Sequence, residues 1–131
     1  MIYSIFLHPS EGTFEVERFR KWLEKRDDTL HDPLGSDTYM ILGSLELVEF
    51  ARDRRVEQPT QFPLSVLVTI KAEEINVFQE YGDDLKLRIA REFVKMIIDE
   101  TGCKVLDEFG TDWTERVRQE GVGVLYPDTL T

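Results

Sequence analysis

The sequence predicts an α+β fold, a single domain with a mostly antiparallel sheet of about five strands and two to three helices packed on it. Three observations lead there. DDLKLRIAREFVKMIIDETG, Asp83 to Gly102, has a long helical periodicity; FEVERFRKWLEKR is apolar along one side; and IYSIFLH and PLSVLVTIK are β-prone runs.

The Asp83 to Gly102 stretch organises the rest. At about 100 degrees per residue, Leu85, Leu87, Ile89, Ala90, Phe93, Val94, Met96, Ile97 and Ile98 spread over a little more than half of the helix circumference, opposite Arg88, Arg91, Glu92, Lys95 and Asp99. So wide an arc predicts cover on the main face and partly on the flanks. Asp83 and Asp84 suit the amide end of this helix, and Gly102 suits its close.

From the start of the chain, Ile2, Ile5 and Leu7 lie in a continuous β-prone run ended by Pro9, which predicts an inner strand. Thr13 is placed to cap the next helix, in which Val16, Phe19, Trp22 and Leu23 share one face opposite Glu17, Arg20, Lys21 and Glu24. Asp27 to Gly35 is turn chemistry and predicts an exposed loop. Asp37 to Leu42 follows as a strand closed by Gly43. Ser44 caps a shorter helix with Leu47, Val48 and Ala51 as its buried edge, and Arg52, Arg54 and Arg55 complement the negative end of its dipole. After the linker QPTQFP, Leu64, Val66, Val68 and Ile70 alternate with Ser65, Leu67, Thr69 and Lys71 in the clearest strand of the chain. Ala72 to Gly82 fits both periods and is expected to be an irregular connection with room for one short element. CKVLDEF reads as a strand. DWTERV and VGVLYP complete a hairpin or meander, unless Thr111 or Asp112 caps a single helical turn.

A net charge of −10 is unevenly placed: Met1 to Lys71 carries −3 and Ala72 to Thr131 carries −7. A field of that sign repels phosphate backbones and anionic lipid, so neither nucleic acid nor membrane is expected as a partner; basic proteins are attracted. The lone Cys103 excludes an internal disulfide and fits a reducing compartment, so the cytoplasm is the expected location. The run Ile2 to Leu7 is short for a signal-peptide core and has no basic residue ahead of it.

Chemistry is sparse. His8 ends a strand, and His31 stands among Asp27, Asp28 and Asp32 at a spacing that matches no ligand set, so no metal is expected. Cys103 has no histidine nearby in sequence, Ser36 and Ser44 lack the frame of a nucleophile elbow, and no glycine-rich phosphate loop is present. No catalytic residue and no cofactor is expected. What stands out is acid interleaved with aromatic side chains: Glu73, Glu74, Glu80, Asp83 and Asp84 around Phe78 and Tyr81, and six acids between Asp99 and Glu115 around Phe109 and Trp113. If the two segments meet, carboxylates steer and rings are desolvated at the centre of a negative rim. If they do not, Phe78 and Phe109 are core and the acids are solubilising charge.

The order of an IYSIFLH strand, SVLVTIK, an acidic connector, a long amphipathic helix and a hairpin-like end is similar to small immunity proteins of bacterial polymorphic toxin systems. This resemblance implies a non-enzymatic protein that blocks a basic toxin domain such as a nuclease. The expected contact residues, read from charge and composition, are Glu73, Glu74, Glu80, Tyr81, Asp83, Asp84, Asp112 and Trp113. Two other functions compete: a small enzyme or ligand-binding domain assembled from His8, His31 and nearby acids, and an oligomerising structural domain.

Overall fold

The computed structural model describes residues 4–31, 37–53, 66–79 and 84–126. Among the described residues it is an α+β fold with one open antiparallel sheet of six strands and four helices. The elements run β1 (Ser4–His8), α1 (Val16–Glu24), β2 (Thr29–His31), β3 (Thr38–Ile41), α2 (Leu45–Asp53), β4 (Val66–Ile70), β5 (Ile75–Gln79), α3 (Asp84–Thr101), β6 (Lys104–Asp107) and α4 (Thr114–Glu120), with a 3-10 turn at Val122–Leu125. The strand order is β2-β3-β4-β5-β1-β6, and every neighbouring pair is antiparallel. The opening strand is therefore an inner one, as its continuous apolar run predicts.

Alternation along the strands decides the two faces, because successive Cβ atoms point opposite ways. Ile5, Leu7, Tyr39, Ile41, Val66, Val68, Ile70, Ile75, Val77 and Val105 fall on one face and are buried against α1 and α3. From α3, Leu87, Ile89, Ala90, Phe93, Val94 and Ile97 enter this core, with Met96 and Ile98 packed at its margin. Phe19 and Leu23 of α1 join them, and Val16 and Trp22 are half-buried on the same side. On the reverse face Val48 and Ala51 of α2 cover Met40 and Leu42, while Phe6, Phe78 and Leu106 are half-buried. Leu85 departs from the expected arc and is exposed, as is Leu47 on α2.

Three elements differ from the sequence expectation. The predicted loop after α1 contains β2, held by backbone pairing to β3 and by the Thr29 hydroxyl, which donates to the Leu23 carbonyl at 2.7 Å. The ambiguous connection contains β5, where period two wins because β4 and β1 flank it and Ile75, Val77 and Gln79 all face the core. The expected hairpin end is instead α4 and the 3-10 turn, which bring Val117, Val122, Leu125 and Tyr126 into the core. Of the predicted caps, the Ser44 hydroxyl does accept the Leu47 N–H, but α1 begins at Val16 without a side-chain cap from Thr13. Gly102, at φ 62°, closes α3 and donates to the Ile98 carbonyl at 2.8 Å. Residues 54–65, including Arg54, Arg55 and Leu64, lie outside the described residues. Among the described residues no helix is long and apolar enough to cross a membrane.

β5, α3 and β6 form a crossover with β1 lying between the two strands it connects. β5 and β6 therefore run in the same direction, and their C-terminal ends lie at the same end of the sheet. There β6 turns through the loop that carries the site.

Candidate functional site

The loop Asp107 to Trp113 is built on one buried carboxylate. Asp107 Oδ1 accepts the N–H groups of Phe109 at 2.8 Å and Thr111 at 3.0 Å, while Oδ2 accepts the Trp113 indole N–H at 2.9 Å. The Gly110 N–H donates to the Asp107 carbonyl, the Asp107 N–H to the Thr111 carbonyl, and the Trp113 N–H to the Val105 carbonyl. Gly110 sits at φ 80°, a conformation that side-chain-bearing residues rarely adopt. Burial pushes the Asp107 carboxyl up. The Trp113, Thr111 and Phe109 hydrogen bonds outweigh that and hold it below the usual aspartate value. The loop is thus closed on an anion, with little freedom left to lose on binding.

At its tip Phe109 is 81% exposed, the most exposed large apolar side chain among the described residues. Glu108 beside it accepts the Ser4 N–H at 3.0 Å. Asp112 is exposed, and its carboxylate accepts the Thr114 N–H at 2.9 Å at the start of α4. Hydrogen bonds from the Thr114 hydroxyl and N–H lower its pKa, so it stays ionised. Glu115 is also exposed and pairs with Arg118. An uncovered phenyl ring on a fixed turn, bordered by carboxylates, can take an apolar or cationic surface on its ring while the acids pair with amines or guanidinium groups.

The predicted contact residues that are described, Glu73, Glu74, Asp112 and Trp113, are not gathered on one surface. Trp113 lies in this loop but turns inward: it is half-buried against the core, bonded to Asp107 and covered by the Arg116 guanidinium at 4.8 Å. It is a support for the loop and not the exposed ring expected of it. Glu73 and Glu74 stand in the turn between β4 and β5, where Glu74 bonds to His8 at 2.9 Å. Asp112 pairs with Leu106 on the outer side of β6, three strand spacings from β5, or roughly 14 Å. Glu80, Tyr81 and Asp83 lie outside the described residues, and Asp84 is the first residue of α3. Phe109, which the sequence leaves open between core and anchor, is the ring that is presented. Its readable signal was the turn around it, with Asp107 two residues before and Gly110 directly after.

The residues proposed for an enzyme are placed apart. His8 is tied to Glu74 on one strand end, and His31 stacks on Tyr39, ring centroids 4.5 Å apart, on the edge strand β2. Asp28 near His31 is bound in a two-point ion pair by Arg26. Among the described residues no three histidine, cysteine or acidic side chains are grouped as metal ligands would be. Among the described residues, cavities of about 300, 290 and 440 Å³ are lined by the segment between β1 and α1, by α1 and α3, and by the β4–β5 turn with Asp37 and Ile70, with no histidine in their walls. Cys103 is buried, and burial pushes its thiol up, away from the thiolate form a nucleophile needs.

Comparison with protein-family models, with curated proteins and with solved structures found no match to this chain.

Proposed function

We propose that this chain is a non-enzymatic binding protein that captures a basic partner through the Asp107 to Trp113 loop, with Phe109 as its anchor. The sequence resemblance extends the proposal to an immunity protein that acts in the cytoplasm and neutralises a basic toxin domain. One observation carries it: an 81% exposed phenylalanine on a turn pinned by a buried carboxylate. A loop this closely hydrogen-bonded does not bury that ring in its own fold, so the ring can be desolvated by a partner at no cost to the loop. The net charge of −10 supplies long-range attraction, and Glu108, Asp112 and Glu115 supply local pairing.

The test begins with the reading frame adjacent to this one. Its product is expected to carry a basic C-terminal domain that co-purifies with this chain. Calorimetry then compares wild type with Phe109→Ala, for which the expected loss is about tenfold or more in affinity. Equal affinity of the two would remove the loop as the contact.

A further inference from the structure

The same chain carries a surface complementary to that loop. A groove of about 440 Å³ between α1 and α3 is lined by Arg18, Lys21, Trp22, Lys25, Arg26 and Met96, with Glu100 on its wall. Arg18, Lys21, Trp22 and Lys25 recur at helical spacing, so α1 lays a cationic stripe along the groove with an indole in its middle. Trp22 packs on Phe93 at 5.3 Å and is overlain by the Arg26 guanidinium at 5.3 Å, which fixes the indole as a floor. Arg18 is held by Glu100 at 2.6 Å and Arg26 by Asp28 at 2.9 Å, with Glu92 also near Arg26. Lys21 and Lys25 are exposed and make no ion pair among the described residues. With Arg18 and Arg26 paired to acids, Lys21 and Lys25 carry the positive charge of the groove, over an apolar floor of Trp22 and Met96.

Resting on the reading of the Phe109 loop as a docking element, we propose that the groove receives the Asp107 to Trp113 loop of a second copy of this chain. Phe109 meets Trp22 and Met96, and Glu108 and Asp112 meet Lys21 and Lys25. An extended nucleic acid is a poor occupant because the rest of the molecule repels it. The loop has what the groove lacks: one exposed ring and flanking carboxylates on a rigid turn. Because loop and groove are different surfaces, the contact is head-to-tail and gives rings or open chains, not a two-fold dimer. Each copy is net negative, so the copies repel at long range. A Debye length of about 8 Å at physiological salt screens that repulsion more than it screens pairs in contact. Association is therefore strongest at intermediate ionic strength, and it competes with a basic partner for the same loop.

Sedimentation velocity on the whole chain, up to about 1 mM and at about 0.15 M salt, tests this. Wild type is expected to associate with rising concentration. Phe109→Ala and the double variant Lys21→Glu with Lys25→Glu are each expected to be monomeric, with circular dichroism confirming that both fold. Mixing the two variants leaves one intact groove and one intact loop, so a dimer that grows no further is expected. A wild type that is monomeric throughout overturns the proposal, as does association that persists in both variants or a mixture that fails to pair. The basic partner separates this proposal from the function proposed above: the double lysine variant keeps that binding. Monomeric wild type with partner binding weakened by Phe109→Ala defeats self-docking alone. Self-docking with no basic partner bound defeats the proposed function alone.

Discussion

The indole N–H of Trp113 donates to Oδ2 of Asp107 at 2.9 Å, and this bond turns a tryptophan inward while the neighbouring Phe109 is left outside. Both rings belong to one acidic segment, yet one serves the fold and the other faces solvent.

Their substitutions should therefore have opposite effects. Phe109→Ala is expected to change stability by less than about 0.5 kcal/mol, as exposed positions do. Trp113→Ala removes half-buried contacts with the core and is expected to cost about 2–4 kcal/mol, somewhat below the range for a fully buried aromatic ring. Urea unfolding monitored by far-ultraviolet circular dichroism measures both. A large loss from Phe109→Ala would show that the ring belongs to the core.

Asp107 makes the loop sensitive to acid. Its carboxyl titrates below its unfolded value of about 3.9, so its contribution is complete above roughly pH 4 and is lost as pH falls through the lower folded value. Asp107→Asn should be less stable than wild type at pH 7, and the gap should close as the pH is lowered through that window. Denaturation midpoints at stepped pH values check this. A gap that is constant with pH would mean that the charge on Asp107 does not contribute.

Phe93 is fully buried at the centre of α3, and Phe93→Ala is expected to cost about 3–5 kcal/mol. Leu85, exposed in the first turn of the same helix, should tolerate Leu85→Ala within about 1 kcal/mol. Paired denaturation curves compare them, and equal losses would contradict the placement of α3.

The Cys103 thiol is buried and its pKa is raised by desolvation. A disulfide reagent at neutral pH should modify it at the rate at which the protein opens, accelerating only as denaturant is added. Rapid modification of the native chain would place the thiol at the surface.

The organising helix was legible because its pattern repeats through several turns, and β4 because Val66, Val68 and Ile70 alternate cleanly. β2 was not, since a three-residue edge strand is defined by its pairing with Thr38–Ile41 and not by any pattern of its own. α4 buries Val117 alone, so it has no apolar arc for a wheel to show. At the site, the acids and aromatic residues were visible but their grouping was not. Whether Trp113 or Phe109 faces water depends on how Asp107 closes the turn, a contact made only in the folded chain. The cationic stripe on α1 was within reach of the sequence, since Arg18, Lys21, Trp22 and Lys25 lie at helical spacing and Lys21 is on the solvated face, as its place opposite Phe19 and Leu23 predicts.

Amide chemical-shift mapping of the labelled chain during titration with its basic partner tests the docking loop most directly. The expected result is the largest perturbation at Glu108 to Asp112, with Glu73 and Glu74 quiet. Perturbation centred on Glu73 and Glu74, with the Phe109 loop unmoved, would contradict it.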